Sequence, residues 1–217
     1  EQQQQQQQQN MQQQQQQQYG QGYGSGAGAG AGGQQNGNNM GGNFLVNVTP
    51  ATLTPTETNE LLYMVEEEKM AHDVYEAFFN QYQIRIFDNI RNSELRHADL
   101  VRQVLQLHGM VDPTSGKASG QFTNVDLGNT YNTLVENGSS SLGNALRAGA
   151  LIEETDISDL NDALQNTAVP YLDVMYGNLR RASENHLRAF VQTLDSIGEG
   201  PYQPTVLSAD EYNDIIN

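Results

Sequence analysis

Ser93-Glu94-Leu95-Arg96-His97-Ala98-Asp99-Leu100 places a carboxylate and an imidazole three residues apart, so in a helix both side chains leave the same face. The flanking residues supply that helix. From about Phe87 to His108, Ile90, Glu94, His97, Val101 and Val104 recur on one stripe, and Gly109 follows as a stop signal. Glu94 and His97 thus stand in the middle of a core-facing stripe, where an unpaired carboxylate is very costly.

The same pattern appears on either side. Thr54-Pro55-Thr56-Glu57 supplies an N-cap, a proline at the first helical position and a capping-box glutamate. From there Leu61, Val65, Glu68, His72, Tyr75 and Phe79 keep helical spacing to about Tyr82. Residues 110 to 139 contain Pro113, Gly116, Gly120 and a short helical piece at about Leu127 to Glu136, and read as a crossover. A third long helix is predicted over about Ser140 to Gln165, with Leu142, Leu146, Glu153, Ile157, Leu160 and Leu164 in register. A fourth, about Pro170 to Ile197, carries Leu172, Met175, Leu179, His186, Phe190 and Leu194. Ser208-Ala209-Asp210-Glu211 is a second capping box and opens a short terminal helix. The expected fold is all-α: a four-helix bundle over residues 54–217 with a long crossover between its second and third helices.

Each long helix carries an ionisable group mid-stripe: Glu68, then Glu94 with His97, then Glu153, then His186. If neighbouring helices are antiparallel, these sets meet near mid-height, and a cation gives them a reason to converge.

Four stretches resemble the ferritin-like superfamily, and more closely a family of bacterial and archaeal ferritin-like domains of unknown function. They are Glu66-Glu67-Glu68-Lys69-Met70-Ala71-His72-Asp73-Val74-Tyr75, Ser93-Glu94-Leu95-Arg96-His97, Ala150-Leu151-Ile152-Glu153-Glu154-Thr155-Asp156-Ile157 and Asn185-His186-Leu187-Arg188-Ala189-Phe190. The resemblance covers roughly residues 52 to 215. In di-metal proteins of this kind a Glu from each of two helices joins a Glu-x-x-His pair from each of the other two. The resemblance therefore implies Glu68 and Glu153 as the single glutamates, Glu94 and His97 as one pair, His186 as part of the other, and iron or manganese as the metal. Tyr75 corresponds to a tyrosine beside such a site, and His72, one turn from Glu68, is an auxiliary candidate. The second pair is incomplete, because Ser183 stands where its carboxylate belongs. Asp156 or Glu154 is the candidate substitute, and one or two ions are expected.

The remainder differs physically. Residues 1–43 are almost entirely Gln, Gly, Asn, Ala and Tyr, with Glu1 the one charge, and such a composition buries no conventional core. It reads as a flexible tether, or as an assembly element through Gln ladders and Gly-Ala close approach. The linker, residues 44–53, opens with a β-prone run in which Phe44, Leu45, Val46 and Val48 are candidates for adding to a sheet edge. Net charge is -16, which argues against nucleic acid or an anionic membrane as partner and favours cations. There is no cysteine for a disulfide or thiolate site, and no apolar run approaches the roughly 20 residues of a membrane span. The chain begins at Glu1, as a processed secreted or cell-surface protein would, and Asn47-Val48-Thr49 and Asn137-Gly138-Ser139 match the glycosylation pattern. The expected function is a self-associating subunit of an extracellular or cell-surface filament, joined through the arm. The alternative is a carboxylate-bridged iron or manganese protein that oxidises, stores or detoxifies, with metal-dependent oxidase or peroxidase activity left open by the incomplete second pair.

Overall fold

The computed structural model describes residues 44–217, and the arm assigned to residues 1–43 lies outside the described residues. Thr54 closes both halves of its capping box: Oγ1 accepts the Glu57 N–H at 3.1 Å, and Glu57 Oε2 accepts the Thr54 N–H at 2.8 Å. With Pro55 in the first turn this starts α1 (Pro55–Tyr82). Gln83 ends it in the left-handed region (φ 55°), donating its N–H to Phe79 O at 2.8 Å. Only Gln83 and Ile84 separate α1 from α2 (Arg85–Leu107), so α2 must turn straight back along α1.

A second hairpin follows the same logic. α4 (Leu142–Asn166) and α5 (Pro170–Ser196) are joined by residues 167–169, where Thr167 Oγ1 accepts the Val169 N–H and donates to Glu57 Oε1 at 2.7 Å. That bond ties the second hairpin's turn to the start of α1. The two hairpins pack together through α1 on α4 and α2 on α5.

The crossover contains α3 (Val125–Gly138), which lies on α1 and α4, and it is held to α1 by polar bonds. Glu66 accepts the backbone N–H of Thr123 and of Asn124, the latter at 3.0 Å. Asp73 pairs with Lys69 and accepts the Gly120 N–H, while Lys69 Nζ donates to Ala118 O at 2.9 Å. Asn124 then caps α3 through the N–H groups of Asp126 and Leu127. A short α6 (Ala209–Ile216) closes on α5. The described residues contain these helices and no strand, and no helix among them is long and apolar enough to cross a membrane.

The β-prone run is not a strand. Residues 44–47 form a turn, closed by the Val48 N–H on Leu45 O at 3.1 Å. Leu45 is buried among Leu61, Leu100 and Leu172, with Phe44 and Val48 packed beside it and Val46 exposed. Covering one end of the helical core uses the apolar side chains that an edge strand would have needed.

The apolar core falls into two layers. One holds Val74, Tyr75, Phe78, Phe87, Leu146, Phe190 and Leu194; the other holds Leu61, Val65, Val101, Val104, Leu160, Leu172 and Leu179. Between them, on every long helix, lie the ionisable residues.

Gly149 lets α4 approach closely, since a Cβ there would lie 2.6 Å from the Phe190 ring. Gly149→Ala is expected to lower stability by about 1–3 kcal/mol through overpacking, despite alanine's better helix propensity. A urea titration reads this as a lower midpoint at unchanged slope; an unchanged midpoint would mean that the Phe190 ring has room to move.

Candidate metal centre

The polar layer is assembled by helical spacing. On α2 the three-residue step from Glu94 to His97 turns both inward, 2 % and 7 % exposed. Glu68 arrives from α1, Glu153 and Asp156 from α4, Ser183 and His186 from α5. His97 Nδ1 lies 2.7 Å from Glu94 Oε2 and 3.4 Å from Glu68 Oε2. His186 Nδ1 lies 2.8 Å from Glu94 Oε1 and 3.3 Å from Glu153 Oε2. The imidazoles face each other at 5.6 Å between centroids, 20° from parallel. Glu94 therefore stands between two near-equivalent groups, Glu68–Glu94–His97 and Glu94–Glu153–His186, each with ligand atoms within 4.8 Å of one another and each able to hold a metal ion.

The residue types and their unmet valences fit such an ion. Glu68 Oε1, Glu94 Oε1, His97 Nδ1, His186 Nδ1 and Asp156 Oδ1 are buried and make no aligned hydrogen bond. A cavity of about 10 Å³ lies among Glu67, Glu68, Glu94, Glu153 and Asp156, room for roughly one water-sized particle. Carboxylate and imidazole without thiolate is a donor set for iron or manganese.

Neighbours orient the ligands. The Tyr75 hydroxyl donates to Glu153 Oε1 at 2.6 Å, and its ring packs against those of Phe87 and Phe190. Ser93 Oγ lies 3.3 Å from His97 Nε2, the nitrogen facing away from the centre. Ser183 Oγ donates to Asp156 Oδ2. The serine in place of the missing glutamate thus holds a carboxylate supplied by the facing helix.

The remaining sequence candidates separate. Glu154 points elsewhere and accepts the backbone N–H groups of Thr205, Val206 and Leu207, so Asp156 alone is placed to substitute. His72 Nδ1 bonds Arg91 O at 2.8 Å and groups with Asp73 and Glu76 rather than with the centre's ligands. Phe44, Leu45 and Val48 pack with the apolar layer of Leu61 and Leu172 and Val46 is exposed, and none belongs to the ligand groups. Sequence reasoning missed Glu67, naming only Glu68 from its run of glutamates. The residue is 3 % exposed and lines the cavity. The available signal was the run Glu66-Glu67-Glu68 itself, which spans roughly 200° of a helix and cannot all face water on a helix covered from several sides.

The field in this layer is strongly negative. Burial and Asp156 push Glu68 well above the usual carboxylate range, with His97 opposing. Burial, Asp156, Asp159 and Glu68 do the same to Glu67. Burial and Glu153 raise Asp156 from 3.8 to about 7. Burial works against charge on Glu94 too, but His186 and His97 outweigh it and hold that carboxyl low. Burial would lower both histidines; Glu94 with Glu68 lifts His97 well above its usual value, and Glu94 with Glu153 lifts His186 to about 10. Without a metal the layer balances itself by keeping protons, and a bound cation displaces them.

Residues 57–217 match a family model described as an uncharacterized protein domain, DUF2202. The chain is 38% identical over 165 residues to the uncharacterized protein MJ0754 of Methanocaldococcus jannaschii, covering 76% of this chain and 89% of that relative. The crystal structure of hypothetical protein MJ0754 from Methanococcus jannaschii superposes with a TM-score of 0.75 at 38% identity, covering 77% of this chain and 95% of the other.

The raised groups fix the sign of a pH dependence. Stability from protonated Asp156 is complete below 3.8 and lost as pH rises to about 7. Stability from His186 is complete below 6.5 and lost as pH rises towards about 10. Metal-free protein is therefore expected to melt at a lower temperature at about pH 9 than at about pH 6, whereas saturating Mn²⁺ reverses the trend because ligands must be deprotonated. Thermal melts with chelator and with Mn²⁺ check this, and in Asp156→Asn the metal-free slope should flatten below about pH 7 and persist above it, where His186 carries it.

Proposed function

The chain belongs to the DUF2202 family, and on that premise we propose that its helical domain is a ferritin-like four-helix bundle built round a carboxylate-bridged pair of iron or manganese ions. The observation that carries this reading is the position of Glu94, one carboxylate oxygen 2.7 Å from His97 Nδ1 and the other 2.8 Å from His186 Nδ1. A single buried glutamate shared by two imidazoles, each backed by its own second glutamate, has the symmetry of two adjacent ligand sets with one bridge.

When bound, such ions supply redox and Lewis-acid chemistry towards oxygen or peroxide. The chain supplies the rest. Glu68 and His97 would hold one ion, Glu153 and His186 the other, and Glu94 would serve both. Asp156 restores the negative charge that a second Glu-x-x-His would have brought, and Ser183 aims it. Tyr75 fixes the orientation of Glu153 while its ring seals the layer below. Burial and Glu153 hold the Tyr75 hydroxyl well above its usual value, so it remains a proton donor to that carboxylate. The apolar layers on either side exclude bulk water and so strengthen every charge interaction between them.

The filament reading draws on residues 1–43, outside the described residues, and on the run at Phe44, which packs on its own helical core. The convergent centre favours the metal reading over it.

Elemental analysis after anaerobic loading with Fe²⁺ or Mn²⁺ and desalting tests the proposal. The wild type should retain about two ions per chain. Glu94→Ala and Glu94→Gln, which remove a ligand shared by both positions, should retain almost none, while Glu68→Ala should lose one position preferentially. A wild type without stoichiometric metal, or Glu94 variants as metallated as the wild type, would sink the assignment.

A further inference from the structure

The ligands are closed in by helices, yet a cation has to reach them. Acidic residues descend along the line where α1 meets α4. On α4, Asp162, Asp159 and Asp156 follow at three-residue steps and pass from exposed to half-buried to buried. On α1, Glu60 and Glu67 are two turns apart with Tyr63 between them, and their burial deepens in the same direction. At the outer end a groove of about 350 Å³ is lined by Asn59, Glu60, Tyr63, Asp159, Asp162 and Asn166, with no lysine or arginine in its walls. At the inner end Glu67 and Asp156 line the small cavity beside Glu68, Glu94 and Glu153.

Between groove and cavity the two ends meet. The Glu67 and Asp159 carboxyls face each other there, close enough for Asp159 to add to the burial that raises Glu67. No protein donor reaches Glu67 Oε2, and Glu60 Oε2, buried at the groove wall, lacks one as well. A buried acid without a donor is expensive unless a proton or cation occupies the gap. The α5 face beside His186, whose side chain is 13 % exposed, instead carries Arg180 and Arg188, both paired with Glu184, and offers a cation no comparable ladder.

We propose that the α1–α4 seam is the loading path for divalent cations, running from the groove at Glu60 and Asp162 past the Asp159–Glu67 pair into the metal centre. This rests on the metal reading given above. Glu67 and Asp159 act in transit: they hand the ion inward, and Glu68, Glu94, His97, Glu153 and His186 retain it. An acid-lined cleft raises the local cation concentration and the association rate, by about 10- to 1000-fold in steered systems, without altering the final complex.

Stopped-flow absorbance of Co²⁺ uptake by the metal-free full chain tests the path, because cobalt reports its ligand set by colour without turnover. Asp159→Asn and Glu67→Gln should each slow uptake by about tenfold or more, with unchanged stoichiometry and unchanged final spectrum. Asp173→Asn, which removes the same charge from an exposed site on the first turn of α5, should load at the wild-type rate. Seam variants that load as fast as the wild type overturn the path, as does equal slowing in Asp173→Asn, which would reduce the effect to net charge. A changed spectrum or stoichiometry in Glu67→Gln at the wild-type rate also overturns it, since Glu67 would then be a ligand. A wild type that takes up no Co²⁺, Fe²⁺ or Mn²⁺ removes the centre itself, an outcome separate from loss of the path alone.

Discussion

The fold is organised by the difficulty of keeping Glu67, Glu68, Glu94, Glu153 and Asp156 together inside it. In the low-dielectric interior these groups repel, and His97 and His186 offset only part of the charge. The helices have to hold the whole set at one height or leave charges stranded in apolar surroundings. Sliding α2 by one turn would draw Glu94 away from His186 and bring Ile90 or Val101 opposite the carboxylates. The polar layer thus fixes helix register more strictly than the apolar layers, whose Leu, Val and Phe contacts tolerate small shifts.

Not every buried acid belongs to that problem, and hydrogen-bond donors draw the boundary. Glu57 closes the α1 cap and takes the Thr167 hydroxyl. Glu66 takes two backbone N–H groups from the crossover, and Glu154 takes three from the segment before α6. These carboxylates are satisfied and act as fasteners between distant parts of the chain. Those of the central layer take only two hydroxyls, Tyr75 on Glu153 and Ser183 on Asp156, and otherwise meet one another and two imidazoles. Adjacent residues on one helix, Glu153 and Glu154, therefore have unrelated roles: the side-chain direction set by the 3.6-residue period sends one to the centre and the other to a loop.

The helices and the Glu94–His97 pair were legible in the sequence because both depend on local spacing. Capping boxes at Thr54 and Ser208, apolar stripes and the stop at Gly109 carry their information within a few residues. So did the convergence of Glu68, Glu153 and His186, since four amphipathic helices with polar interruptions at similar depth have few ways to pack. The pairing of Glu67 with Asp159 was not legible, because it lies in the contact between α1 and α4 and nothing in either helix alone points to the other. The turn at Phe44 failed for a related reason. An apolar run of that length reads as a strand until the end of a helical core is available to cover, and the core was invisible from the run itself.

Ser183 shows why a broken motif need not mean a broken site. Read along α5, Ser183-x-x-His186 has lost a carboxylate, and with it the charge to neutralise a second cation. Read across the α4–α5 contact, the charge has moved: Asp156, one turn after Glu153, fills the space from the facing helix and takes the Ser183 hydroxyl as its donor. Serine is small enough to admit that side chain and polar enough to aim it, whereas a glutamate retained at 183 would set two carboxylates against each other. Asp156 Oδ1 remains without a partner and faces the cavity, as a ligand in waiting would. The anionic group thus comes from α4 rather than α5, and Asp156 stands in line with Asp159 and Asp162 on the seam. On the proposed metal reading, the residue that would complete the second ligand set is also the innermost step of the ladder leading to it.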